Sequence, residues 1–206
     1  MSTPHPSVST PAAETRHPVL AVWLIIAGVV GEWAAFSLTT ERLHLLENPG
    51  STASCDFSVL IQCGKNLDSW QGSLFGFPNP LIGLICWSAP IVVGVAMLAG
   101  ARFARWFWWL FTLGVTGAMA FVIWLISQSL YSLATLCPWC MVTWSVTIPT
   151  FYAVWVHVLR EGIVPASAGV RRAANALVSW IPLMAILSFA LIAVLAQLQL
   201  NVLGTL

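Results

Sequence analysis

The chain has 206 residues, 59% of them apolar and 7% charged, and a net charge of +1. Soluble domains carry about 25% charged residues, so this composition excludes an ordinary soluble fold. With no cluster of Lys and Arg it excludes a nucleic-acid surface as well. What remains is an all-α polytopic membrane protein with one domain's worth of chain.

Residues 1–17 are rich in Ser, Thr, Pro and Ala, the composition of a disordered tail. Pro18 to Thr39 is the first apolar run, interrupted only by Glu32. It exceeds the roughly 7–15-residue core of a signal peptide, so it reads as an uncleaved span. Residues 40–79 are the longest polar stretch and form a loop. Further spans are expected at Pro80–Ala99, Trp106–Leu130, Cys140–Val158 and Leu177–Leu200. The first four spans make a core over residues 18–160, and residues 161–206 supply a link and a fifth helix. Within the loop, Asn66 to Phe75 sets Leu67, Trp70 and Leu74 on one helical face. That pattern predicts a short amphipathic helix in the membrane surface, ended by Pro78 and Pro80.

Basic residues orient the chain. Arg16, Arg102, Arg105, Arg160, Arg171 and Arg172 fall on one side of the predicted spans, and only Arg42 and Lys65 on the other. The N-terminus is therefore expected in the cytoplasm, and the long loop and the C-terminus outside it.

The cysteines carry the chemistry. Cys137-Pro138-Trp139-Cys140 is a Cys-x-x-Cys pair at the mouth of a long apolar run. Two thiols at this spacing can close and reopen a small disulfide ring and so hold two electrons. Pro138 suits a helix's first position. The unpaired N–H groups of a first turn favour a thiolate there. Cys55 and Cys63 lie in the long loop, so all four cysteines are expected on the extracytoplasmic face, where disulfides persist. Cys86, between Ile85 and Trp87 in the second span, reads as a buried small hydrophobe. Glu32 is the one Asp, Glu, Lys or Arg placed within a span. It is a candidate proton relay or hydrogen bond to the loop, or a protonated structural acid facing the bundle.

Cys55-x7-Cys63-Gly64, then Gly72-Ser73-Leu74-Phe75-Gly76-Phe77-Pro78, then Cys137-Pro138-Trp139-Cys140 resembles the bacterial vitamin K epoxide reductase homologues, in the form without a fused thioredoxin-like domain. The resemblance covers the chain from Val19 to Arg160. It implies a four-transmembrane-helix bundle around a quinone, menaquinone or ubiquinone, with a fifth peripheral helix. It also implies a relay. A separate thioredoxin-like (DsbA-like) protein outside the cytoplasm would pass electrons to Cys55. Cys63 would exchange with Cys137, and Cys140 would face the quinone. Animal relatives have an Asn three residues before the Phe of the Phe-Gly pair and a Tyr four residues after the last Cys. Gly72 and Trp144 stand there in this chain.

A quinone takes two electrons and two protons and dissolves in the bilayer, so its pocket should open between spans near the outer surface. Phe75, Phe77, Trp139 and Trp144 are candidates to line it, with Ser73 beside them. Trp144 lies one helical turn beyond Cys140 and so shares its face. The expected function is quinone-dependent oxidation of a thiol carrier, supporting disulfide formation in exported proteins. Quinone-epoxide reduction on the same cysteines is one alternative. An all-thiolate zinc site is the other, against which stand the wide Cys55–Cys63 spacing and an oxidising exterior.

Overall fold

The computed structural model describes residues 18–201 and Gly204, and the expected N-terminal tail lies outside them. Among the described residues five helices are long and apolar enough to cross a membrane. The first is α1 (Pro18–Glu47); the short α2 (Gly64–Asp68) lies in the loop, and α3 (Pro80–Leu98) is the second span. Next comes α4 (Arg105–Ser127), which runs on as a π-helical segment over Gln128–Leu133, and then α5 (Pro138–Arg160). The amphipathic α6 (Ala168–Leu177) leads through a short 3₁₀ turn into α7 (Ile181–Leu200), the fifth span. A helix satisfies its backbone groups within one segment, which is why continuous apolar runs of about 20 residues fold as membrane helices.

Three boundaries differ from the sequence reading. α1 does not stop at Thr39 but continues through Glu47, because Thr40–Glu47 includes strong helix formers and nothing that breaks a helix. The loop helix expected over Asn66–Phe75 is broken at Ser69, whose backbone is extended. A 3₁₀ turn over Trp70–Ser73 follows, its start capped by the Ser69 hydroxyl accepting from Gly72 N–H at 3.1 Å. Leu67 is therefore buried while Trp70 is 64% exposed, so the three apolar residues share no face. Last, the link before the fifth span contains a helix of its own, α6, started by Ser167 accepting from Val170 N–H.

α5 is the centre of the bundle, in contact with α1, α4, α6 and α7. Three polar bonds radiate from it into the neighbouring spans. Trp23 on α1 donates to Thr150 at 3.1 Å, and Trp155 donates to Thr116 on α4 at 3.0 Å. Tyr152 pairs with Ser188 on α7 at 2.9 Å. In hydrocarbon, where apolar burial favours no helix pair over lipid, such bonds and close packing hold helices together.

Close packing is supplied by glycine between α1 and α3. A Cβ on Gly28 would lie 2.4 Å from Ile91 Cγ1, and one on Gly94 would lie 2.6 Å from the carbonyl oxygen of Ala21. α4 uses its glycines differently: a Cβ on Gly114 or Gly117 would meet nothing within 4 Å. α3 is packed on α1 and not closely on α4, so space remains between the second and third spans.

Arg105 and Arg160 lie at one end, while Arg42 and Lys65 lie at the loop end. Arg105 donates to the carbonyls of Gly162 and Ile163 at 3.1 and 2.9 Å, and Arg160 donates to Asn175 at 2.8 Å. The loop with Cys55 and Cys63 covers the other end.

The two glycine environments predict opposite outcomes. Gly94→Ala should lower stability by roughly 1–3 kcal/mol, the usual cost of overpacking, because its neighbour is backbone and cannot rotate away. Gly117→Ala should leave stability unchanged or raise it, since alanine is the better helix former by about 1 kcal/mol. Thermal unfolding of both variants in the same detergent checks the pair.

Candidate functional site

The loop is pinned to the bundle by charged groups from the extra turns of α1. Glu41 accepts from the Ser54 N–H at 3.0 Å and from the Ser54 hydroxyl, and Arg42 forms an ion pair with Asp68. Inside the loop, the Asp56 carboxylate accepts from the N–H groups of Cys63 at 2.7 Å, Gly64 at 3.0 Å and Ala53 at 3.3 Å. A carboxylate suits this place because the first N–H groups of α2 have no partner within the helix.

A second contact joins the loop to α5. Ile61 and Leu136 form an isolated parallel bridge, in which Leu136 N–H donates to Leu60 at 2.7 Å and Gln62 N–H donates to Leu136 at 3.0 Å. Asn66 reinforces it, donating to the Thr135 hydroxyl at 3.0 Å and accepting from the Ser129 hydroxyl at 3.3 Å. The two chains then run on from the bridge to Cys63 and Cys137. These two cysteines and Cys55 share one buried cluster with Leu38, Ala53 and Leu67.

Cys55 and Cys63 are joined as a disulfide, while Cys137 and Cys140 are free thiols. Cys137 is the N-cap residue of α5, with Pro138 in the first turn, and its sulfur accepts from Cys140 N–H at 3.4 Å. The Cys140 side chain and the backbone N–H groups of Cys140 and Trp139 hold the Cys137 thiol below its ordinary range, against burial and the Asp56 charge, which push it up. Cys55, expected to meet a partner, is only 4% exposed; the residues beside it, Phe57 and Val59, are 72% and 84% exposed.

Behind the thiols lies a cavity of about 570 Å³, within the roughly 300–1,000 Å³ usual for small-molecule sites. It fills the space that the α3–α4 spacing leaves. Gly83, Cys86, Trp87 and Pro90 of α3 line one side, and Phe111, Gly114, Gly117 and Phe121 of α4 the other. Cys137, Cys140, Trp144 and Thr147 line the back, and Asn66, Gln71, Phe75 and Asn79 the loop side. The walls are mainly apolar; the amides Asn66, Gln71, Asn79 and Gln128 gather at the loop side, and Thr143, Thr147 and Thr150 lie along α5. An apolar chamber with a few polar groups at one end and a dithiol in its wall fits a lipid-soluble ring that accepts electrons.

Of the residues named from sequence, the two thiols, Phe75 and Trp144 meet at this cavity. Phe75 packs on Phe121, with ring centroids 5.9 Å apart. Phe77, Trp139 and Ser73 are not part of its wall. Phe77 contacts Phe75 from outside, and Ser73 accepts from Gly76 N–H at the end of the 3₁₀ turn. Trp139 lies in a separate shallow groove with Val29, Val30, Trp33 and Val142, because the residue before Cys140 points about 100° away around the helix. Cys86 corrects the sequence reading: it is exposed and in the cavity wall, not buried among neighbouring helices. Glu32 is half-buried, and its Oε2 takes no hydrogen bond, so neither a bond from that atom to the loop nor a place in the cavity wall is found. Sequence reasoning passed over Gln71, Gln128 and the Gly114–Gly117 pair. The available signals were a polar amide inside an apolar run and two glycines three residues apart on one helix.

Among the described residues no group of three or more His, Cys, Asp or Glu side chains is arranged to hold a metal. The loop disulfide also removes two of the four thiolates that an all-cysteine site requires. The family model described as the vitamin K epoxide reductase family matches residues 22–155. No curated protein matches the chain.

The thiol geometry sets a pH expectation. In a Cys86→Ala background with the loop disulfide intact, thiolate absorbance in the ultraviolet should begin to titrate below the ordinary thiol range of about 8.5. Adding Cys140→Ala removes the largest stabilising contact and leaves only the two backbone N–H groups against burial and Asp56, so the titration of Cys137 should move to higher pH.

Proposed function

Since the chain belongs to the vitamin K epoxide reductase family and is a membrane thiol oxidoreductase, we propose that it moves electron pairs from a thioredoxin-like protein outside the cytoplasm to a membrane quinone. The observation that carries this reading is the position of the Cys137–Cys140 pair. On one side lies the Cys55–Cys63 disulfide, in the same buried cluster as Cys137. On the other lies the apolar cavity, with both thiols in its wall.

The steps balance as disulfide exchanges. A thiolate of the reduced partner attacks the Cys55–Cys63 bond at Cys55 and forms a mixed disulfide, releasing Cys63. The Cys63 thiolate attacks Cys137 of an oxidised Cys137–Cys140 pair and releases Cys140 as a thiol. The partner's second thiol then displaces Cys55 and leaves as a disulfide. The freed Cys55 attacks the Cys63–Cys137 bond, which restores Cys55–Cys63 and leaves Cys137 and Cys140 reduced. At that point the loop pair is a disulfide again and the Cys137–Cys140 pair holds the two electrons. A bound quinone takes up two electrons and two protons, leaving as hydroquinone. Cys137, favoured as a thiolate by Cys140 and by the α5 N-terminus, is then the sulfur that closes on Cys140 as the pair is oxidised.

The first exchange has a structural requirement. Cys55 is buried, so the 55–59 segment must move before a partner sulfur can reach it. That segment is flanked by Ser54, which Glu41 holds, and by Leu60 and Gln62, which Leu136 holds.

The test is quinone reduction by the purified enzyme with a reduced thioredoxin-like donor. Cys55→Ala should abolish turnover with the protein donor and retain most of the turnover driven by a small dithiol; equal loss with both donors would show that Cys55 is more than the receiving thiol. Orientation is tested separately. Protease applied from outside the cell should remove a tag at the C-terminus and spare one at Met1. The reverse result would put the cysteines on the reducing side and defeat the relay.

A further inference from the structure

The loop-side rim of the cavity carries a group that the fold itself leaves unsatisfied. Gln71 lines the cavity from the 3₁₀ turn over Trp70–Ser73 and is 6% exposed. Its Nε2 donates to Gln128 Oε1 at 3.3 Å, and its Oε1 is buried with no hydrogen-bond donor. Buried carbonyl oxygens without a donor are uncommon because the lost water is not replaced. The turn is held firmly enough to keep this one in place. Asn79 Nδ2 donates to the Gln71 carbonyl at 2.6 Å, and Asn79 Oδ1 accepts from Leu74 N–H at 3.2 Å. Gln128 comes from the opposite wall, at the point where α4 widens into its π-helical segment, a kind of distortion that recurs at functional sites. Cys137 and Cys140 line the same chamber.

Resting on the quinone reading above, we propose that the Gln71–Gln128 amide pair is the hydrogen-bonding contact for a ring oxygen of the quinone, and that it serves both redox states. With Gln71 donating to Gln128, Gln71 Oε1 accepts the O–H of the hydroquinone. An amide's oxygen and nitrogen are nearly the same size. Turning both amides over keeps the Gln71–Gln128 bond, now running from Gln128 Nε2 to Gln71 Oε1. It presents Gln71 Nε2 as a donor to the carbonyl of the oxidised ring. The pair thus exchanges acceptor for donor without a change of shape, as the ligand exchanges carbonyl for hydroxyl.

Binding separates this role from activity. Tryptophan fluorescence of the purified protein is titrated with a short-chain hydroquinone, with its dimethyl ether, which has no O–H to donate, and with the oxidised quinone on protein whose Cys137–Cys140 pair is closed. Gln71→Leu should weaken hydroquinone binding about tenfold, the effect of one hydrogen bond, and leave the ether unchanged, which also reports an intact cavity. Gln71→Glu keeps an acceptor and loses the donor, so it should retain the hydroquinone and lose affinity for the oxidised quinone. Equal weakening of hydroquinone and ether would make Gln71 a shaping residue only and overturn the proposal. Hydroquinone binding by Gln71→Leu at the wild-type level would overturn it while sparing the quinone reading. Wild-type protein that binds neither ring form would defeat both.

Discussion

Leu136 makes two backbone hydrogen bonds to the loop, one to Leu60 and one from Gln62, and the site depends on them. At Leu136 the chain has left one membrane helix and not yet begun the next, and a backbone in that position must find partners for its N–H and C=O. The loop supplies both. By doing so it fixes the register between the stretch that ends in Cys63 and the stretch that ends in Cys137. Two redox pairs 74 residues apart in the sequence (Cys63 to Cys137) are thereby placed in one buried cluster. The same contact roofs the cavity, because Asn66, Gln71 and Phe75 follow directly from it.

The bundle beneath is asymmetric, and the asymmetry makes the chamber. Glycines at the α1–α3 seam bring those helices so close that added methyl groups would clash. Glycines at 114 and 117 on α4 face open space. One residue type thus closes one interface and hollows another, depending on whether a helix lies opposite. α5 holds the arrangement through its polar bonds to α1, α4 and α7, and it carries the dithiol at its first turn. The thiol closest to the loop is therefore positioned by the same helix that anchors the bundle, so chemistry and packing share one rigid element.

Electrostatics at the site are local and opposed. Cys140 and the first-turn N–H groups favour a thiolate at Cys137, while burial and Asp56 disfavour it. Asp56 is kept despite that opposition because its carboxylate holds Ala53, Cys63 and Gly64 in place. The carboxylate is a structural necessity of the loop whose charge reaches the reactive sulfur.

Five spans and the helical class were legible in the sequence, because hydrocarbon admits only internally bonded backbone and composition alone reports that constraint. The Cys-x-x-Cys pair at a helix start was legible too, since Pro138 and the apolar run behind it are local signals. Local pattern could not reveal whether Leu67, Trp70 and Leu74 lie on one helix, because Ser69 breaks the turn through contacts that periodicity does not encode. Helical spacing sets Trp144 on the Cys140 face and Trp139 about 100° away from it, but only the packing of α5 against α1 and α4 decides which face meets the chamber. Cys86 reads as buried because a free cysteine in an apolar run is commonly a small buried hydrophobe; the gap between α3 and α4 leaves it in the wall. The sequence alone determined that there would be membrane helices and where the thiols would begin one of them. The cavity, and the amides and thiols gathered around it, exist only where helices distant in sequence fail to touch, which is a property of the packed bundle and of no single segment.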